Sequence, residues 1–142
     1  MGCNFSNSNI KEKKSELINL THSTKLFSFE KEIHMVKVTK CYDGDTIHCI
    51  FKHDGKYSRH IIRMYGYNSC EMTSRDPILK QKAIDAKNRI VELILNKIVY
   101  LYCKHYDKYG RIVGEIKLKQ SDKETINELM LRESHGVPFM QK

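Results

Sequence analysis

The sequence predicts a mainly β fold of the α+β class, with five short strands, one long helix after the third strand and a short C-terminal helix. Several stretches alternate apolar and polar residues, which is the period of half-buried strands. Asp54 and Gly55 form a hairpin-turn signal between two of these stretches. Residues 78–96 instead repeat their apolar side chains at helical spacing.

Each strand is expected where the alternation is clearest. The first three strands are predicted to form a meander at about residues 34–41, 47–52 and 57–65. The last two are predicted at residues 98–103 and 112–118, with a polar turn between them. Thr125 and Glu128 fit a capping box that opens the last helix. Five short strands closed by helices indicate a small, partly open barrel of the oligonucleotide-binding (OB) type.

Composition divides the 142 residues into an arm and one domain. Residues 1–33 are mostly polar, and their scattered apolar residues, such as Phe27 and Phe29, follow no period. They predict a flexible N-terminal arm outside the core, followed by a folded domain at residues 34–142. The chain has 25 Lys and Arg against 17 Asp and Glu, a net charge of +8, and the arm carries only +1 of it. This excess favours nucleic acid or an acidic membrane surface as a partner, unless it only keeps a small domain soluble.

Cysteine and histidine patterns limit the classes of site. The five cysteines are odd in number and contain no C-x-x-C pair, which argues against a disulfide framework and a zinc ribbon. The seven histidines lack the spacing of a zinc site. No apolar run has the length of a secretory signal or a membrane span. We therefore expect a protein of the cytoplasm or of the cytoplasmic face of a membrane, and not a secreted one.

The first six residues form a candidate lipid-attachment site. Gly2 and Ser6 match the N-myristoylation pattern, and Cys3 stands where a palmitoyl group is often added. Two acyl chains would anchor the protein stably to a membrane, whereas one would not. The alternative is a chance match and an unmodified arm.

Acidic and basic residues with the chemistry of a phosphodiesterase occur close together in the predicted meander. Asp43 and Asp45 flank a glycine in the turn after the first strand, and Arg63 and Glu71 follow one hairpin later. Carboxylates on a tight turn hold hard cations, and the guanidinium fork binds phosphate oxygens. These residues predict a metal-dependent nuclease.

The motifs resemble those of the staphylococcal-type thermonuclease family over about residues 34–139. The matching elements are Asp43-Gly44-Asp45-Thr46, Arg63, Glu71, Asp107-Lys108-Tyr109-Gly110-Arg111 and Asn127-Glu128. The resemblance implies a five-stranded OB-fold barrel of the staphylococcal nuclease type. It also implies one Ca²⁺ ion bound directly by Asp45, by the side chain of Asn68 and by a backbone carbonyl at Ser69.

The same resemblance implies roles for the remaining site residues. Asp43 would shape the turn and add negative charge beside the ion. Glu71 would act as general base or orient a water, and Arg63 and Arg111 would stabilise charge on the phosphate, unless they form only surface salt bridges. By the same resemblance, Lys108 and Tyr109 would contact the terminal phosphate of the nucleotide.

Two residues depart from the family pattern. Asn68 replaces the usual aspartate and Cys70 the usual proline, which predicts weaker calcium binding and a looser ligand segment. The leading hypothesis is a monomeric, calcium-dependent endonuclease that cleaves DNA and RNA, preferably single strands or frayed duplexes, with low sequence specificity and leaves 3′-phosphates. The alternatives are a nucleic-acid-binding module with a weakened metal site and a lipid-tethered scaffold.

Overall fold

The computed structural model describes residues 2–141 and confirms the α+β class with a five-stranded barrel. The barrel strands are β1 (Ile33–Cys41), β2 (Thr46–His53), β3 (Lys56–Met64), β5 (Ile98–Tyr106) and β6 (Ile112–Lys117). A separate small sheet pairs β4 (Tyr67–Asn68) with β7 (Val137–Pro138). The helices are α1 (Lys14–Leu17), α2 (Pro77–Ile94) and α3 (Ile126–Arg132), with one 3₁₀ turn at Asn7–Asn9.

The barrel is closed, with the strand order β1-β2-β3-β6-β5 and β5 paired back to β1. All neighbours are antiparallel except β3 and β6, which run parallel. The expectation of a partly open barrel is therefore wrong, as is the expected end of the fourth strand at Cys103. A bulge lies between Cys103 and His105, and β5 continues beyond it to Tyr106, where its last residues pair with β6 alone.

Helix α2 packs against β1 and lies where the periodic apolar residues predict it. Asp76 caps its N-terminus, because one carboxylate oxygen accepts the N–H groups of Ile78 and Leu79 at 2.8 and 3.2 Å. The helix buries a face of small and branched residues against the barrel, namely Ala83, Ala86, Ile90 and Ile94. Within residues 2–141, none of the helices has both the length and the apolar character needed to cross a bilayer.

Phe29 belongs to the hydrophobic core, so the expectation that it lies outside is wrong. Its side chain is only 5% exposed and packs edge-on against Phe51, with ring centroids 5.3 Å apart. Its backbone N–H donates to the hydroxyl of Tyr106 at 3.1 Å. A single anchoring residue produces no periodicity, which explains why the sequence pattern did not reveal it. Residues 10–28 are exposed, and the boundary between arm and domain stays a prediction.

Phe29→Ala should lower the free energy of unfolding by about 3–5 kcal/mol, because it opens a cavity in a packed aromatic cluster. The matched variant is Phe5→Ala, since the Phe5 side chain is 91% exposed and its loss should cost less than about 0.5 kcal/mol. Urea denaturation of both variants measures the difference. Equal losses would show that Phe29 contributes no more than an exposed residue of the arm.

Candidate functional site

One cavity of about 700 Å³ lies at the end of the barrel, where the turn between β1 and β2 meets the end of β3 and the segment after β4. It is lined by all seven residues that the sequence analysis assigned to metal binding or to catalysis. These residues are Asp43, Asp45, Arg63, Asn68, Ser69, Glu71 and Arg111. The fold therefore gathers side chains that are up to 68 positions apart in the sequence, as the numbers of Asp43 and Arg111 show.

The acidic turn approaches its neighbours so closely that it requires a glycine. A Cβ atom on Gly44 would lie 2.7 Å from the Cβ of Ala86 and 2.8 Å from that of Ser69, distances shorter than real carbon contacts. Behind the turn, the hydroxyl of Tyr67 donates to the carbonyl oxygen of Gly44 at 2.7 Å. Burial, together with the charge of Asp45, raises the pKa of Tyr67 well above its ordinary value, so the hydroxyl stays a donor. The turn is thus held from both sides.

Asp45 joins the turn to the segment that follows β4. Its Oδ2 atom accepts the backbone N–H of Ser69 at 2.8 Å and lies 3.3 Å from Nη2 of Arg63. Its Oδ1 atom accepts the hydroxyl of Thr46 at 3.0 Å. The residue is only 8% exposed, so its carboxylate has a fixed orientation toward the predicted ligand segment.

The two aspartates of the turn create a place for positive charge. Burial, followed by the negative charge of Asp45, raises the pKa of Asp43 to about 6, although backbone N–H groups of the turn lower it in part. Ser69 Oγ is buried and has no hydrogen-bond partner among residues 2–141. Asp43, Asp45, Asn68 and Ser69 offer oxygen atoms as metal ligands beside this hydroxyl. Oxygen ligands are those that a hard cation such as Ca²⁺ prefers.

These ligands would include few charged groups. Across the described residues, no three His, Cys, Asp or Glu side chains come together as a metal-binding group. The donor set fits a calcium ion that takes its other ligands from amide and carbonyl oxygens and from water.

Arg63 is buried at the junction of β3 with the ligand segment. Its Nη1 atom donates to the carbonyl oxygens of Met64 and Tyr67 at 2.8 and 2.9 Å. Its Nη2 atom donates to Oδ1 of Asn68 and lies beside Asp45. Arg63 is only 8% exposed, so its ion pair with Asp45 is buried and is not a surface salt bridge. It fixes the loop around the site and also engages the amide oxygen that was predicted to bind the metal.

Arg111 is positioned by the turn that precedes it. The carboxylate of Asp107 accepts the backbone N–H groups of Tyr109 and Arg111 at 2.9 and 3.0 Å and Nε of Arg111 at 2.6 Å. Burial alone would raise the pKa of Asp107, but these hydrogen bonds lower it below its ordinary value. The guanidinium lies 5.3 Å from the ring centroid of Tyr109 and lines the cavity. The sequence motif showed the turn, but the orienting role of Asp107 needed the structure.

A second cavity of about 330 Å³ adjoins the first. It contains Lys108 and Tyr109, the two residues predicted to contact a terminal phosphate, and shares Arg63, Asn68 and Arg111 with the larger cavity. Glu71 is exposed and lines the larger cavity.

Several residues of the site were missed by the sequence reasoning. Lys40, Tyr42 and His48 line the larger cavity, and only the position of Tyr42 within the acidic turn could have indicated this. Gly2 and Cys3, the candidate lipid sites, are exposed and line neither cavity.

Comparison with known proteins matches the larger part of the domain to one family model. The sequence matches the family model described as staphylococcal nuclease homologue over residues 61–138, which is more than half of the chain. The matched stretch contains Arg63, Glu71 and Arg111, whereas the acidic turn precedes it. No curated protein matches the chain.

Tyr67→Phe should lower the free energy of unfolding by about 1–3 kcal/mol, because it leaves the buried carbonyl of Gly44 without its donor. Tyr65→Phe is the matched control, since the Tyr65 hydroxyl makes only an exposed contact with the sulfur of Met140 at 3.7 Å. Its effect should stay within about 0.5 kcal/mol. Urea denaturation compares the two, and an equal loss would mean that the Tyr67 hydroxyl does not hold the turn.

Proposed function

The chain belongs to the staphylococcal nuclease homologue family, and on that premise we propose that it is a calcium-dependent endonuclease that hydrolyses DNA and RNA. The family makes the chain a nuclease or a nucleic-acid-binding module, so nucleic acid is its partner. The observation that carries the catalytic proposal is the shared cavity, where two aspartates, Glu71 and two arginines line one space of about 700 Å³. One chain supplies all these groups, so the proposed enzyme would act as a monomer.

The acidic turn and the segment after β4 would hold one Ca²⁺ ion. Asp45 would bind it with its carboxylate, Asn68 with its amide oxygen and Ser69 with its backbone carbonyl, while Asp43 would add negative charge. When bound, the ion would supply positive charge beside the scissile phosphate. Because Asn68 is neutral and bonded to Arg63, we expect weaker calcium binding than an aspartate would give.

The remaining groups act on the phosphate and on the attacking water. The exposed carboxylate of Glu71 would accept a hydrogen bond from that water and orient its oxygen toward phosphorus, or take its proton as general base. Arg111 keeps its two Nη atoms for the phosphate oxygens and for the departing 5′ oxygen, since its Nε atom is bonded to Asp107. Arg63 would contribute charge from a fixed position.

The bond changes account for the proposed products. The water oxygen forms a bond to phosphorus while the bond from phosphorus to the 5′ oxygen breaks. The water gives up a proton to Glu71 or to solvent, and the 5′ oxygen takes up a proton and leaves as a hydroxyl. The phosphate therefore stays on the 3′ end of the upstream fragment. None of these contacts reads a base edge, which supports low sequence specificity.

The smaller cavity supports a preference for unpaired substrates. Lys108 supplies charge for a flanking phosphate, and the Tyr109 ring is 72% exposed. An exposed aromatic ring stacks on an unpaired base of any sequence, which favours single strands or frayed duplexes.

A second candidate function is a nucleic-acid-binding module without catalysis. The Arg63 guanidinium already pairs with Asp45 and donates to Asn68, which are two of the proposed calcium ligands. If calcium cannot displace these contacts, the basic cavity would bind nucleic acid without cleaving it.

Cleavage of a labelled oligonucleotide tests the enzymatic proposal directly. Millimolar Ca²⁺ should support cleavage to products with 3′-phosphate ends, and chelator should abolish it. Glu71→Gln should lower the rate by about 10²-fold or more, because it removes the group that orients or deprotonates the water. Glu30→Gln, a change at an exposed glutamate outside the cavity, is the matched control and should cleave normally. Binding without cleavage at millimolar calcium would instead favour the module.

We also propose that Gly2 and Cys3 are acylated and place the enzyme at the cytoplasmic face of a membrane; an unmodified chain would stay in the cytoplasm. Their exposure supports this, because a modifying enzyme must reach them. In a eukaryotic cell, Gly2→Ala should release the tagged protein from the membrane fraction, whereas Asn4→Ala should not. An unchanged membrane fraction for Gly2→Ala would refute the acylation.

A further inference from the structure

The three strands that begin the barrel carry only positive formal charges. β1, β2 and β3 contain six Lys or Arg residues and no Asp or Glu. Elsewhere the cations are mixed with acids, and several are paired, as Arg89 is with Glu133 and Arg132 with Glu124. The charge of the domain is therefore concentrated on one part of the barrel.

Strand register brings most of these cations to the outer face in rows. In the first row Lys40 lies opposite His48, and His48 lies opposite Ile61. All three line the larger cavity, so the outer face begins at the candidate active site.

The next rows continue away from the cavity. Lys37 lies opposite Ile50, which lies opposite Arg59, and beyond them Lys52 lies opposite Tyr57. The basic track is the set of cations and the tyrosine in these rows, namely Lys37, Lys40, Lys52, Arg59 and Tyr57. Each of the five is exposed, whereas other residues of the same strands, such as Val38 and Cys49, are buried in the core.

The cations of the basic track are available to an anionic ligand. In the part of the chain that the structure describes, no carboxylate lies within 4.0 Å of any of their charged nitrogens. Their field reaches the first row, because Arg59 and Lys40 add to burial in lowering the pKa of His48. Exposed charge of one sign that no carboxylate neutralises is the electrostatic footprint of a site for phosphates.

The basic track is also continuous with the arginine of the turn after β5. Arg59 and Ile61 line a cavity of about 270 Å³ together with Tyr109 and Arg111. Arg111 lines the larger cavity as well. A strand lying on the track would therefore pass beside the groups proposed to act on the scissile phosphate.

We propose that the basic track binds the phosphates of a single nucleic-acid strand on one side of the cleaved bond. The inference rests on the proposed function, since it takes the larger cavity as the place of cleavage. From His48 to Lys52 the strand extends about 13 Å, the length of about four stacked nucleotides at 3.4 Å each. Tyr42 and Tyr57 are exposed at the two ends of this length and can stack on unpaired bases. The substrate is thus a strand of several nucleotides rather than a dinucleotide.

Oligonucleotide binding in the presence of chelator tests the track without requiring cleavage. We would measure the affinity of the full chain for a labelled 12-nucleotide single strand at several salt concentrations. Lys37→Gln/Arg59→Gln should weaken binding about tenfold at low salt and reduce the slope of log affinity against log salt by about 1.4, the value for two phosphate contacts. Lys80→Gln/Lys82→Gln removes the same charge from exposed positions of α2 and should leave the slope nearly unchanged.

The comparison separates a local contact from net charge. Equal effects of the two double variants would overturn the track, because overall charge would then explain the binding. No measurable binding of the 12-nucleotide strand by the wild type would overturn it as well. The same would hold if the track variant lost affinity for phosphatidylserine vesicles but kept its oligonucleotide affinity, since the surface would then serve a membrane. If the track variant loses oligonucleotide affinity as expected but calcium never supports cleavage, the binding role of the track is supported and the enzymatic proposal is refuted.

Discussion

The carboxylate of Asp45 links the parts of the molecule on which the candidate site depends. It accepts the N–H of Ser69 at 2.8 Å and lies 3.3 Å from Nη2 of Arg63, so it ties the acidic turn to the segment after β4 and to the end of β3. This link requires the close approach that Gly44 permits and the support that the Tyr67 hydroxyl gives from behind. The site is therefore a consequence of packing as much as of charge. Movement of the turn would separate the oxygens proposed to share a cation.

Arg63 and a calcium ion would compete for the same oxygen atoms of the cavity. Arg63 satisfies Asp45 and Asn68, and the same oxygens are the proposed calcium ligands. An incoming ion must therefore offset the loss of these contacts, and Asn68 offers it an amide oxygen instead of a second carboxylate. The closeness of Asp43 and Asp45 acts in the opposite direction, since their mutual repulsion, with burial, raises the pKa of Asp43 to about 6. The balance between these two effects decides whether the domain cleaves nucleic acid or only binds it.

Sequence reasoning predicted those features that depend on local patterns. The strand alternation, the periodicity of α2 and the Asp107 to Arg111 turn are each contained in a short stretch, and the structure has an element at each place. Closure of the barrel and burial of Phe29 depend on contacts between distant segments, so no local pattern predicted them. The basic track also depends on contacts between distant segments. Lys37 and Arg59 share a face only because both pair with Ile50, and that register is fixed by folding.

Calcium titration by calorimetry, without nucleic acid, tests most directly whether Asp45 and Asn68 face a common ion. Asn68→Asp should bind Ca²⁺ more tightly than the wild type, because it adds a carboxylate to the oxygen ligands. Asp45→Asn should lose measurable binding while the protein stays folded by circular dichroism. Wild-type affinity in Asp45→Asn would contradict the account, since the ion would then be held somewhere other than at the acidic turn.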